Sequence, residues 1–266
     1  MNESRDLAVV IMAAGKGTRM NNPDMAKVMY TVAGKPMVEH VVDLAVTIGA
    51  SRIVAVTGWQ KESVVNHLRS TGKPVDCVVQ EPQLGTGHAV LQAEGALSGA
   101  RGDVVVLSGD VPLLTGATVQ SLMEEHRRTG ASATLLTAIM DDPTGYGRIL
   151  RNGEGAVTGI VEQKDATPEQ RAIREINSGI YVFDIDALFA GLHQITPNNA
   201  QKEYYLTDVF AYLWANKLPV RAVVVDDVRE IQGVNTPAQL EEVRTVFEGR
   251  ARTERVGMKR AGTPGV

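Results

Sequence analysis

The chain has one cysteine, Cys77, among 266 residues, so no internal disulfide can form. Its setting, VDCVV, is that of a small buried apolar side chain. No run approaches the ~18 apolar residues of a membrane span. The N-terminal MNESRDLAVV lacks the charged, apolar and small-residue zones of a signal peptide. A cytoplasmic protein is expected. Neither sign of charge dominates: 27 Lys and Arg against 31 Asp and Glu leave a net charge of −4, which argues against a general nucleic-acid binder. The 5 histidines show no metal-ligand spacing, and no Gly-x-Ser-x-Gly or Cys–His pattern marks a nucleophile. No internal repeat or low-complexity linker divides the chain. What remains is an ordinary globular composition, 44% hydrophobic and 22% charged.

The most distinctive stretch comes first. LAVVIMAA reads as a buried strand, and GKGTRMNNPDMAK follows it directly. Glycines let backbone N–H groups approach an anion and cations neutralise it, so the loop points to phosphate. It is not a Walker A loop, because Lys16 is followed by Gly17 rather than Ser or Thr. It is not the dinucleotide fingerprint either, because Met20 stands where the third glycine belongs.

Strand-like runs at 7–13, 52–57, 74–79 and 103–107 alternate with helical patterns at 36–48, 60–69 and 88–97. A helix at 116–128 leads to a strand at 133–139. Such alternation predicts a parallel sheet covered on both faces. The second half is less regular. GRILRNGEGAVTGIVE predicts a hairpin turning at Asn152–Gly153, and EINSGIYVFD a strand. YLTDVFAYLWANK predicts a helix with Thr207 or Asp208 at its N-cap, and PVRAVVVDD a late strand. Thr236 and Pro237 open a last helix, beyond which the chain turns basic and Gly/Pro-containing. One domain over 1–252 and a basic, flexible tail over 253–266 are expected.

Ligands of open α/β sheets bind at the carboxyl ends of the strands. The segments following the strands there read QEPQLGTGHA, SGDVPLL, GYGRI, VEQKD, INSGIY and GVNTP, rich in Gly, amide, carboxylate and Asn. Singly, each is ordinary. Arg19 and Lys27 read as surface charges, Asp110 as a turn residue before Pro112, Gln80 and Gln83 as loop amides, and His88 as a structural histidine.

Together, and in this order, AAGKGTRM…K, QLGTGHA, GDVPLL, DDPTGYGRI, GIVEQKDAT, EINSGIY, EYYLTD and GVN resemble one family. It is the sugar-phosphate nucleotidyltransferases, in particular the uridyltransferase domain of the bacterial bifunctional N-acetylglucosamine-1-phosphate uridyltransferases. The likeness runs from about residue 7 to about 247. One departure is Ala26, where many relatives have a proline directly before the lysine and a slightly shorter loop. The resemblance implies the nucleotide-diphospho-sugar transferase fold: Rossmann-like α/β, with a mixed, mainly parallel sheet and helices on both faces. It implies transfer of the uridylyl group of UTP to N-acetylglucosamine 1-phosphate, with release of pyrophosphate. By the same resemblance, Met12, Ala13, Ala14 and Gly15 line the nucleotide, and Arg19 and Lys27 neutralise its phosphates. Gln80, with Gly85 and Thr86, reads the uracil. Gly147, Glu162, Asn177, Tyr205 and Thr207 line the sugar, and Asp110 and Asn235 hold Mg²⁺. An amide can flip, so backbone near Gly85 must fix the orientation of Gln80 if it is to tell uracil from cytosine.

The chemistry is consistent with what the chain lacks. The attacking phosphate oxygen is already anionic, so no general base is required, and positioning with charge neutralisation should dominate. Mg²⁺ favours one or two protein oxygens with phosphates and water, which suits one Asp and one Asn. The alternatives are another sugar 1-phosphate, such as glucose 1-phosphate, or a non-catalytic nucleotide-sugar-binding regulatory subunit. Bifunctional relatives continue into a hexapeptide-repeat β-helix that acetylates glucosamine 1-phosphate. No such repeat occurs here, so a monomer or weak dimer without acetyltransferase activity or the β-helix trimer is expected.

Overall fold

The computed structural model describes residues 6–20 and 22–261, with side chains to residue 250. Strand β1 (Asp6–Ala13) ends in the glycine-rich loop, which carries 3-10 turns at Thr18–Met20 and Lys27–Met29. Short strands β2 (Thr31–Val32) and β3 (Lys35–Pro36) pair with each other and lead into α1 (Met37–Thr47). Then come β4 (Arg52–Thr57), α2 (Lys61–Ser70), β5 (Asp76–Val79), α3 (Thr86–Leu91), β6 (Gly102–Ser108), α4 (Gly116–Thr129) and β7 (Ala133–Ile139). The second half holds the hairpin β8 (Gly147–Arg151) and β9 (Val157–Val161), α5 (Pro168–Arg171), β10 (Glu175–Asp184), α6 (Ile185–Leu192), α7 (Asp208–Ala215), β11 (Val220–Val224) and α8 (Pro237–Ala261).

The main sheet runs β11-β7-β10-β6-β1-β4-β5, with β8 paired to β10 and β9 paired to β8. β1 is parallel to both its neighbours, β4 and β6, while β10 lies antiparallel between β6 and β7. The sheet is therefore mixed and mainly parallel, as expected. Because β1 is buried on both faces, its residues read as a continuous apolar run rather than an alternating one. Val9 and Ile11 join Val41 of α1, Leu68 of α2 and Leu122 of α4 on one face. Ala8 and Val10 join Val90 of α3, Leu188 of α6 and Phe210 of α7 on the other. A smaller cluster, including Met20, Met37, Leu113 and Val243, ties α8 to the glycine loop and β2. No helix among the described residues is long and apolar enough to cross a membrane.

Several elements differ from expectation. Pro36 lies just before α1, paired with Thr31, rather than in its first turn. α3 starts at Thr86, two residues before the expected 88, and gives way to turns after Leu91. The hairpin forms, but its connection is not a two-residue Asn-Gly turn. Asn152 N–H reaches Ala156 O at 3.0 Å, and the Asn152 side chain accepts from Glu154 N and Ala156 N at 3.1 and 2.9 Å. The side chain thus organises a wider loop, a competition for backbone donors typical of Asn. α6 has no separate signal in the sequence, because its residues extend the apolar run of β10; Asp184 caps the change by accepting from Ala187 N at 3.1 Å. The backbone of α8 is helical to Ala261, so 253–261, expected as tail, continue the helix, and 262–266 lie outside the described residues. Gly249 and Gly257 disfavour a helix by about 1 kcal/mol each relative to Ala, but Arg and Glu between them are good helix formers.

Candidate active site

The site forms where the loops after β1, β4, β5 and β6 meet. Met12 O accepts from Gly109 N at 2.9 Å, and Ala14 O from Trp59 N at 3.2 Å, so the end of β1 is pinned from both sides. Gly58 permits this closeness. A Cβ there would lie 2.8 Å from Gln83 Nε2 and 2.9 Å from Ala14 O. Gly85 is required twice over: its φ is +111°, and a Cβ would stand 2.6 Å from Tyr204 O.

These loops enclose a cavity of about 310 Å³. Met12, Ala13, Ala14, Gly15, Gln80, Gly85 and Thr86 all line it, as do Lys27 and Asp110. Gln83, Ser108 and Glu203 line it as well, although the family resemblance gives them no role. A second cavity of about 200 Å³ adjoins the first, sharing Met12, Thr86 and Ser108. Gly147, Glu162, Asn177 and Thr207 line it. Tyr205 lines neither. It is buried, its hydroxyl has no hydrogen-bond partner among the described residues, and burial pushes its pKa up to about 12. Tyr146, Ser178, Gly179 and Tyr181 are further walls of the second cavity. Ser178, Gly179 and Tyr181 belong to the Asn-Ser-Gly interruption of an otherwise apolar strand, where β10 shifts register between Asn177 and Tyr181, and Tyr146 to the GYGRI segment. Across that irregularity Asn177 Nδ2 donates to Tyr181 Oη at 2.7 Å.

The cations lie beside the first cavity. Lys27 Nζ donates to Asp110 Oδ2 at 2.5 Å and to Asn235 Oδ1 at 2.9 Å, and Arg19 donates to the same Asn235 oxygen at 2.9 Å. Arg19 and Asn235 do not border the cavity itself. Val234 N bonds Asp110 O at 3.0 Å, which fixes the Gly-Val-Asn segment against the Gly-Asp-Val segment. The four residues Arg19, Lys27, Asp110 and Asn235 are therefore brought together. Lys16 turns elsewhere, its ammonium 5.4 Å from the centre of the Trp59 ring.

Gln80 is almost wholly buried, at 3% exposure. Its Nε2 donates to Gly85 O at 2.8 Å and lies 3.1 Å from His88 Nδ1. A flipped amide would set two acceptors, Gln80 Oε1 and Gly85 O, against each other, so the Gly85 carbonyl fixes the orientation. Both amide hydrogens are spent inside the protein, and Oε1 has no partner among the described residues. Gln80 can consequently offer the cavity an acceptor only, not the donor–acceptor pair its chemistry allows.

The second cavity is acidic. Burial raises the Glu162 carboxyl above the usual range. A hydrogen bond from the Thr207 hydroxyl, 3.1 Å from Oε1, opposes this, and the charges of Asp208 and Asp165 add to it. That bond occupies the hydroxyl expected to cap α7, so Thr207 stands at the N-cap position without a side-chain cap. Buried Arg148 braces the wall: its guanidinium donates to Tyr146 O, to Gln163 Oε1 at 2.8 Å and to Arg171 O at 3.3 Å. Burial, and then the charge of Asp110, raise the Tyr146 phenol.

The donor set at Asp110 and Asn235 suits a hard divalent cation. One carboxylate and one amide oxygen converge on a single positive group, the Lys27 ammonium, which stands in for a cation between them. No cluster of three His, Cys, Asp or Glu side chains that could hold a metal occurs among the described residues. A magnesium-type site with few protein ligands fits; a zinc-type site does not.

The profile of the family described as "Nucleotidyl transferase" matches residues 8–236. The bifunctional protein GlmU of Halalkalibacterium halodurans is 48% identical over 241 residues, covering 91% of this chain and 52% of that protein. The bifunctional protein GlmU of Heliobacterium modesticaldum is 49% identical over 243 residues, with 91% and 52% covered. The chain thus spans about half the length of the curated relatives it matches. Among solved structures, a UDP-glucose pyrophosphorylase complexed with UDP-glucose superposes with a TM-score of 0.72 at 19% identity, covering 92% of this chain and 99% of that one. At that identity the likeness is one of fold.

Proposed function

Because the chain belongs to the nucleotidyl transferase family, we propose that it transfers the uridylyl group of UTP to N-acetylglucosamine 1-phosphate. The observation that carries this reading is the pair of adjoining cavities sharing Met12, Thr86 and Ser108, with cations and a two-oxygen site beside the first. The nucleotide occupies the first cavity, where the backbone of Met12 to Gly15 runs along its phosphates. Gln80 Oε1 accepts from uracil N3–H. The sugar occupies the second cavity, with Glu162, Asn177 and Thr207 to meet its hydroxyl and amide groups.

In the reaction a phosphate oxygen of the sugar 1-phosphate attacks the α-phosphorus of UTP. A new P–O bond forms, the bond to the β-phosphate oxygen breaks, and pyrophosphate leaves with the electron pair. The nucleophile carries its charge already, so the protein has no proton to remove. Its task is to hold two anions in line and to lower their repulsion. Lys27 lines the cavity while bonding Asp110 and Asn235, so its ammonium stands at the wall where the phosphate oxygens would lie, next to the two oxygens that would hold a divalent cation. Arg19, bonded to Asn235, adds a second cation at the same place. Asp110 and Asn235 would hold Mg²⁺, which when bound supplies further screening of the phosphate charge.

A panel of nucleoside triphosphates against sugar 1-phosphates, read by pyrophosphate release, tests the proposal. Release should require UTP and be fastest with N-acetylglucosamine 1-phosphate. Equal rates with glucose 1-phosphate would overturn the sugar assignment, and no release from any pair would overturn catalysis.

A further inference from the structure

The proposed reaction gives no role to His88, whose ring meets the Gln80 amide at the nucleotide cavity. His88 lies in the first turns of α3, half-buried, with its ring 6.4 Å from that of Tyr204. Its Nδ1 is 3.1 Å from Gln80 Nε2. An amide nitrogen brings only hydrogens, so Nδ1 must be the acceptor, and the ring proton sits on Nε2. Burial lowers the His88 pKa, which favours this neutral form.

Gly85 O takes only one of the two amide hydrogens of Gln80. Left alone, the second would be a free donor beside the base. Uracil presents N3–H, a donor, whereas cytosine presents a bare N3, an acceptor. A spare donor reaching position 3 would therefore favour cytosine, whereas Oε1 at that position, an acceptor, repels its bare N3. We infer that His88 is a positioning residue for base selection: by accepting the second amide hydrogen of Gln80, it leaves Oε1 as the only group that Gln80 can present to the base. The inference rests on the proposed placement of the uracil at Gln80. It extends that placement by assigning selectivity against cytidine nucleotides to a side chain that need not touch the nucleotide.

The test compares kcat/KM for UTP and CTP, with one sugar 1-phosphate, in four proteins: the unaltered chain, His88→Leu, His88→Asn and Gln80→Ala. Leu has a similar shape and no acceptor. Asn carries an oxygen on Cγ, where histidine carries Nδ1. His88→Leu should lower the UTP:CTP ratio about tenfold, the scale of one neutral hydrogen bond, while His88→Asn keeps it within about threefold of the original. A His88→Leu ratio equal to that of the unaltered protein would overturn the inference, whether or not both rates fall together. If His88→Leu does not fold, His88→Phe, which keeps a flat ring without an acceptor, takes its place in the comparison. Gln80→Ala separates the two levels of the argument: an unchanged ratio there would refute uracil reading by Gln80 itself. A lowered ratio in Gln80→Ala together with an unchanged ratio in the His88 variant would refute only the positioning role.

Discussion

The two cavities share a wall but hold their charges differently. The first joins backbone to a cation paired with a carboxylate. Its donors are already taken within the protein, those of Lys27 by Asp110 and Asn235 and those of Gln80 by Gly85 and His88. The second holds a carboxylate, Glu162, that burial and neighbouring acids make costly to ionise, and one hydroxyl, Thr207, that partly compensates. A cavity for phosphates can wait with its charges paired internally, because a polyanion with its metal can exchange those partners. A cavity proposed for a neutral sugar ring offers no such exchange, so a buried carboxylate there is held at some expense in stability.

Substitutions should separate the two cavities. The largest effect is expected at Asp110. Asp110→Ala removes an anchor of Lys27 and half of the two-oxygen site, and should lower turnover by about 10²–10³, as loss of a preorganised electrostatic group does. Asn235→Ala should do less to rate and more to the Mg²⁺ dependence. Pyrophosphate release against metal concentration checks both. Next come the cations. Lys27→Ala should be severe, with Lys27→Arg a partial rescue, because a planar guanidinium does not reproduce a compact ammonium between two oxygens. Lys16→Ala, whose charge rests over Trp59, should lie close to the unaltered protein. An equal loss at Lys16 and Lys27 would erase the distinction between them.

The smallest effect, and the most informative about the second cavity, is on stability. A carboxyl whose pKa is raised on folding binds its proton more readily in the folded state. Its charge therefore lowers stability above the folded pKa, and the loss is relieved as pH falls through that pKa. Glu162→Gln should raise Tm near neutral pH by roughly 2–4 °C, the yield of about 1 kcal/mol in a chain of this size, with the gain shrinking in acid. The same variant should raise KM for the sugar phosphate more than KM for UTP. A lower Tm at neutral pH would mean that Glu162 is a structural anchor rather than a charge held for a ligand.

The same contrast governs what could be read from the chain. Strands β4, β7 and β10 lie at the expected residues, because buried apolar runs bounded by polar turns carry their own signal. α3 starts two residues before the expected position, since Gly85-Thr86-Gly87 has the composition of a loop and it is Tyr204, packed against it, that the sequence pattern does not show. The loop after β1 was legible as phosphate-directed from glycines and charges alone. The bonds of Lys27 to Asp110 and Asn235 were not, because they join residues 83 and 208 positions apart and exist only through the sheet order. Tyr205 shows the converse limit. It stands in a stretch that resembles the family, between Tyr204, whose carbonyl meets Gly87 N, and Thr207, which meets Glu162, yet it is buried and lines neither cavity. A motif marks a segment; only packing decides which of its side chains face a ligand.

The most direct test of this account is a crystal structure of the protein with UDP-N-acetylglucosamine and Mg²⁺. It should show uracil N3 within hydrogen-bond distance of Gln80 Oε1, the sugar against Glu162 and Asn177, and Lys27 Nζ moved from Asp110 to a phosphate oxygen. Uracil bound in the Glu162 cavity, or Lys27 still bridging Asp110 and Asn235 with the nucleotide in place, would contradict it.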